Sequence, residues 1–218
     1  MAKINIAIDG PSGVGKSTIA DIVADKLNYV HLDTGAMYRC VAYYVLKNEI
    51  DYSNEELLEK ALSDLKISFQ NDHVYLNGED VTKEIRTNDI SMMASKTSAV
   101  PMVRQKLVDL QKEIAKSKGY ILDGRDICTV VLPDAEVKIF MNADAKARAQ
   151  RRYDEYINKG IDADYETIYQ DIIARDYQDS HRKISPLKKA DDAIEIDTSH
   201  LTIDEVVDAV LNIINKEI

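Results

Sequence analysis

Residues 3–18 read KINIAIDGPSGVGKST, a short apolar run that breaks at Asp9 and opens into a glycine-rich turn. Gly10, four intervening residues, then Gly15-Lys16-Ser17 is the spacing of a phosphate-binding loop set between a strand and a helix. Each residue type fits that chemistry. Glycine lets backbone N–H groups approach phosphate oxygens with no Cβ in the way, so Gly10, Pro11, Ser12, Gly13, Val14 and Gly15 form the expected cradle. The helix that follows, with Thr18 in its first turn, directs its positive end, roughly half a charge, at the same spot. Lys16 is expected to reach the β- and γ-phosphates of a nucleoside triphosphate. The Ser17 hydroxyl is expected to complete a Mg²⁺ shell whose other ligands are phosphates and waters.

Outward from this loop the grammar is βαβα. Residues 4–8 are strand-like, residues 16–27 carry a helical apolar stripe through Ile19, Ala20, Ile22, Val23 and Leu27, and residues 29–31 form a second short strand. Asp33-Thr34-Gly35 then starts a helix with a capping side chain. From residue 51 to about 100 the rhythm changes to a helix at 54–65 and a meander of short strands over 66–81, with turns at Asn71-Asp72 and Asn77-Gly78. Such a departure reads as an insertion riding on the main sheet. Pro101 opens a helix that Gly119 ends, residues 120–122 form a buried strand running into Asp123-Gly124-Arg125-Asp126, and residues 137–141 form another. Helices are expected at 142–158 and 165–181, a last strand at 193–196 and a closing helix at 203–214. The fold class is therefore α/β, a three-layer α/β/α P-loop core with a central parallel sheet.

Composition narrows the partners. With 28 Lys+Arg against 38 Asp+Glu the net charge is -10, which argues against nucleic acid or an anionic membrane as the main partner. The N-terminal apolar run is too short for a signal or membrane helix, and Cys40 and Cys128 form no C-x-x-C. A cytoplasmic protein with two buried thiols is expected, and a monomer. The histidines, His31, His73, His181 and His200, show no ligand spacing, so none receives a role. Tyrosine, twelve residues against two Phe and no Trp, reads mostly as half-buried packing.

Lysine outnumbers arginine nineteen to nine, and five of the nine arginines fall between Arg148 and Arg182. Arg148, Arg151 and Arg152 share one helical face, as do Arg175, Asp179 and Arg182. Two such helices joined around Gly160 would form a hinged lid bringing positive charge to the loop. Arginine suits two-pronged recognition of phosphate, and arginines supplied to phosphoryl transfer can contribute about 10³–10⁵ in rate. None of the eight glycines follows an Asp at the D-x-x-G spacing, Asn158-Lys159-Gly160-Ile161 fails the guanine motif at its last position, and no Gly-Gly pair exists. Regulatory GTPases and transporter-type ATPases are thereby excluded. Transfer of phosphate between two nucleotides fits the insertion and the lid. The residues alone leave open CMP, UMP, AMP or a non-nucleotide acceptor, and a nucleotide-binding sensor.

GPSGVGKST at 10–18, DTGAMYR at 33–39, GEDVTKEIRT at 78–87, DGRDICTVVLPDA at 123–135 and RDYQDSHRKISPL at 175–187 together resemble the bacterial cytidylate kinases, in the same order along nearly the whole chain. The resemblance implies transfer of the γ-phosphoryl of ATP to CMP or dCMP, with Mg²⁺. It also implies a core at 1–50, 101–150 and 183–218, a small β/α monophosphate-binding insertion at 51–100, and a lid at 151–182. By position it implies that Ser95, Arg104 and Asp126 meet cytosine, that Thr34, Arg39, Arg86 and Arg125 surround the acceptor phosphate, and that Arg175, Asp179 and Arg182 lie near sugar and phosphates. Lys16, Arg125, Arg152 and Arg175 would carry catalysis, with Arg148 and Arg151 on the ATP side. Thr34 stands where relatives can have Ser, and Ser17 where some have Gly.

Overall fold

The computed structural model describes residues 3–70 and 73–217. In chain order the elements are β1 (Ile6–Asp9), α1 (Lys16–Leu27), β2 (Val30–Asp33), α2 (Thr34–Lys47), α3 (Glu55–Ser63), β3 (Ile67–Gln70), β4 (His73–Leu76), β5 (Glu79–Asp80), α4 (Asn88–Thr97), α5 (Pro101–Ala115), β6 (Tyr120–Gly124), β7 (Val137–Asn142), α6 (Ala145–Asn158), α7 (Tyr165–His181), β8 (Ile194–Asp197) and α8 (Ile203–Glu217). A 3₁₀ turn spans Glu84–Arg86 and a π-helical turn Ile127–Val131. By its internal contacts the chain divides into two compact units, Met1–Leu32 with Ile114–Ile218, and Asp33–Glu113.

The first unit holds a five-stranded parallel sheet in the order β2-β6-β1-β7-β8. All four side chains of β1 are buried, as a strand covered on both faces requires. Ile6 pairs with Ile121 of β6 on one side and Val137 of β7 on the other. Ile19 and Val23 of α1 and Val206, Val210 and Ile214 of α8 share one core with Ile6, Ile8, Ile139 and Met141. The strand begins at Ile6 rather than at residue 4 because Asn5 is occupied otherwise. Its N–H donates to Glu136 at 2.9 Å and its side-chain amide to the Ala115 carbonyl at 2.8 Å. Likewise α6 begins at Ala145 rather than 142, since β7 runs through Asn142 and Asp144 caps the helix by accepting the Lys146 N–H at 2.7 Å. α6 and α7 close on a small core of their own, Ala149, Ile168 and Ile172, walled by Tyr153, Tyr156, Tyr165 and Tyr169.

In the second unit Asp33 caps α2 through the Ala36 N–H at 2.8 Å, and Asn54 caps α3. β3, β4 and β5 form the expected antiparallel meander, with Ile67 opposite Leu76 and Tyr75 opposite Asp80. The turn expected at Asn71-Asp72 lies outside the described residues. α4 has no counterpart in the sequence reading. Its buried positions are Ile90, Ser91, Ala94, Ser95 and Thr97, so it turns a mostly small and polar face inward and shows no apolar stripe. Within the Asp33–Glu113 unit α2 packs on α4. Among the described residues no helix is long and apolar enough to cross a membrane.

Candidate active site

The loop after β1 requires its glycines. A Cβ on Gly10 would sit 2.1 Å from the Met141 carbonyl oxygen of β7, and Gly15, the residue before α1, has φ 94°. Lys16 is buried, 6% exposed, and its Nζ donates to the carbonyls of Gly10 and Pro11, each at 2.8 Å. Its pKa is pushed down to about 7, first by burial, then by the charges of Arg125 and Arg175, with Asp123 and Asp9 working the other way. For this buried ammonium the carboxylates of Asp123 and Asp9 only partly offset burial and the two arginines. Phosphate oxygens would supply further negative charge.

Ser17 donates its hydroxyl to Asp123 Oδ2 at 2.9 Å, and Asp123 Oδ1 lies 2.8 Å from His31 Nε2. Burial alone would raise the Asp123 pKa, but the bond and charge of His31, with Lys16 nearby, hold it below the usual carboxylate range. Asp9, fully buried, accepts the N–H groups of Ile127 and Cys128 at 2.9 and 2.8 Å. It thereby ties the turn after Asp126 to the end of β1, and burial lifts its pKa to about 6.

The arginines of this unit fall into two groups. Arg125 donates from Nε to Asp179 Oδ2 at 2.9 Å, and Arg175 Nε stands 4.0 Å from the same oxygen. Burial opposes charge on Asp179, which is 4% exposed, yet Arg125, Arg175 and Arg182 more than offset it and hold its pKa low. Arg182 Nη2 lies 3.8 Å from Asp126 Oδ1. So Arg125, Asp126, Arg175, Asp179 and Arg182 form one network across the end of β6 and α7. The α6 arginines are engaged elsewhere. Arg148 is buried beneath the loop, donating to Ser12 O at 3.0 Å, Ala143 O at 3.0 Å and both oxygens of Asp176 at 3.1 and 2.5 Å. Arg151 donates to Thr198 and Arg152 to the Tyr156 hydroxyl of its own helix at 2.8 Å.

In the second unit Asp33 does more than cap α2. Its Oδ2 accepts Arg39 Nη2 at 2.8 Å and lies 3.8 Å from Arg86 Nη2, so one carboxylate gathers two cations beside the buried Thr34. Gly35 allows this, since a Cβ there would sit 3.1 Å from Asp33 Oδ1 and 3.3 Å from Arg39 Nη1. Arg104, 5% exposed, donates from Nε to Ser98 O at 3.2 Å and lies 5.3 Å from the ring centroid of Tyr38. Ser95 Oγ is buried with no hydrogen-bond partner among the described residues.

A family model described as "Cytidylate kinase" matches residues 6–216 of the chain. The chain belongs to the cytidylate kinase family. It is 53% identical to the "Cytidylate kinase" of Ligilactobacillus salivarius over 98% of this chain and 97% of that protein. It is 48% identical to the "Cytidylate kinase" of Fusobacterium nucleatum over 100% and 98%. A crystal structure of shikimate kinase from Bacteroides thetaiotaomicron shares the fold, at TM-score 0.51 and 13% identity over 98% of this chain and 99% of that one. Within this cytidylate kinase fold the residues the sequence reading passed over are His31, Asp33, Tyr38, Asp123 and Asp176. Their partners lie in other elements or, for Asp33, include a helix cap that conceals a second role. The one legible signal was the carboxyl end of β6, which marks Asp123 as near a ligand site.

Proposed function

We propose that the chain transfers the γ-phosphoryl group of ATP to CMP or dCMP, giving ADP and CDP or dCDP. The observation that carries this reading is the buried Lys16 at the glycine loop, its Nζ held by the Gly10 and Pro11 carbonyls and its charge only partly balanced by Asp123 and Asp9, a setting that polyphosphate would complete. Residues 10–18 take the triphosphate, with Arg148 supporting the loop through Ser12 O and Arg151 fixing the segment at Thr198. Arg39, Arg86 and Thr34 take the acceptor phosphate, and Ser95 and Arg104 read cytosine. The unpartnered Ser95 hydroxyl supports that role, since a buried hydroxyl without a partner costs roughly 1–3 kcal/mol until a ligand satisfies it. Asp126 accepts from the cytosine amino group. Arg125, Arg175 and Arg182, oriented by Asp179, act on phosphate and sugar, and Arg152 joins them when α6 and α7 act as a lid.

The residues present fit Mg²⁺. Ser17 offers a hard oxygen whose hydrogen is turned to Asp123, and among the described residues no cluster of three His, Cys, Asp or Glu could hold a metal. A cation taking most of its ligands from phosphates and water suits such a site. When bound with ATP, Mg²⁺ neutralises charge on the β- and γ-oxygens. The acceptor oxygen is already anionic, so the protein needs no general base; it orients two anions and shields them from each other and from water. The free, buried Cys40 and Cys128 support a reducing, cytoplasmic setting, and we take the enzyme to be a monomer. ADP release from Mg²⁺·ATP is expected to be slow alone and strongly stimulated by CMP. Turnover indifferent to CMP would remove the kinase reading.

A further inference from the structure

His31 sits on β2 with its side chain 10% exposed, and both ring nitrogens face carboxylates. Nδ1 lies 2.5 Å from Asp21 Oδ1 of α1 and Nε2 lies 2.8 Å from Asp123 Oδ1. A ring that donates on both sides is the imidazolium. Burial works against that charge, but the two carboxylates outweigh it and set the pKa at about 10. The chain of contacts continues, because Asp123 Oδ2 accepts the Ser17 hydroxyl at 2.9 Å. Asp123 is therefore gripped at one oxygen by His31 and at the other by Ser17, which fixes the plane of its carboxylate. Ser17 in turn has its hydrogen committed to Asp123, so its lone pairs are turned away from that carboxylate. Lys16, next to Ser17 in the chain, is held by the loop carbonyls of Gly10 and Pro11, with the charges of Asp9, Arg125 and Arg175 also acting on it.

We infer that His31, anchored by Asp21, is a positioning residue for the donor site: it locks Asp123 so that the Ser17 hydroxyl presents its lone pairs to the divalent cation that arrives with the nucleotide. The inference rests on the donor-site reading above. It assigns to His31, whose ring contacts Asp21 and Asp123, work through the kind of outer contact that orients a ligand by holding the group behind it. Asp21 matters because it fixes the ring from the far side; its own side chain is 63% exposed, so it can be changed at little cost to folding.

Titration calorimetry of ADP with and without Mg²⁺, and of CMP, tests this on the whole chain. Wild type is expected to bind Mg²⁺·ADP more tightly than metal-free ADP; absence of that difference would overturn the donor-site reading and this inference with it. Given the difference, His31→Phe is expected to weaken Mg²⁺·ADP on the order of tenfold while leaving metal-free ADP and CMP within about twofold. Asp21→Asn, which leaves the buried ring in place, is expected to shift Mg²⁺·ADP in the same direction by a smaller factor. Mg²⁺·ADP affinity equal to wild type in both variants overturns the role of His31 while leaving the donor site intact. So does an equal loss with and without Mg²⁺, which marks a structural contact only.

Discussion

Lys16 is held where its charge is disfavoured, buried and opposed by two arginines that Asp123 and Asp9 only partly offset, so bound phosphate would stabilise it further. Replacing it with Ala removes the interaction made in the transition state, so kcat is expected to fall a hundredfold or more, about 3 kcal/mol or above, in a coupled ADP-release assay. Folding should suffer little, because two lost hydrogen bonds are offset by relief of a buried charge. His31 gives a pH signature. Its folded pKa, about 10, lies above the unfolded 6.5, so its stabilisation is complete below pH 6.5 and is lost as pH rises through 10. Lys16, lowered from 10.5 to about 7, binds its proton more weakly folded than unfolded and works oppositely over much the same window. The His31 contribution is therefore read as a difference. Wild-type stability minus that of His31→Phe, by urea titration at several pH values, should fall between pH 6.5 and 10 with a slope of at most about 1.4 kcal/mol per unit. At this scale the sequence was legible where function is written in consecutive residues, as at Gly10 to Ser17. It was silent at His31, because Asp21 and Asp123 are 10 and 92 residues away and only the strand order brings all three together.

α6 illustrates how an element can carry charge for support. The face holding Arg148, Arg151 and Arg152 is real, yet Arg148 faces the underside of the loop and α7 rather than open solvent. Arg148→Ala would strand Asp176 and two carbonyls, so stability is expected to drop by about 3 kcal/mol in thermal or urea unfolding, together with a higher KM for ATP. A variant of unchanged stability with only a raised KM would instead place Arg148 on the nucleotide. Helical periodicity predicted the face but could not say which way it points, since that depends on α7 and on the loop. α4 was illegible for a related reason: Ser91, Ala94 and Ser95 bury a small, polar surface that packs closely without registering as hydrophobic. By contrast the β1–α1 and β6 segments were readable from composition, because central parallel strands are apolar throughout.

Across the whole molecule a net charge of -10 coexists with cations gathered at a few carboxylates, Asp33 in one unit and Asp179 in the other. Positive charge is therefore local, and each unit holds its own set of arginines. If the Asp33–Glu113 unit reads the acceptor, Arg104→Met should raise KM for CMP about tenfold or more and leave KM for ATP within about twofold, in steady-state kinetics varied one substrate at a time. Equal effects on both would take Arg104 out of the acceptor site. If this P-loop serves a cytidine monophosphate kinase, the protein must select its acceptor. A single purified sample is given Mg²⁺·ATP with CMP, dCMP, UMP, AMP or a non-nucleotide alcohol in turn, and the phosphorylated products are quantified. CMP and dCMP are expected to be converted far faster than the others, with one ADP formed per diphosphate. Preferred phosphorylation of AMP, UMP or the alcohol, or ADP formation that none of them stimulates, would contradict that reading.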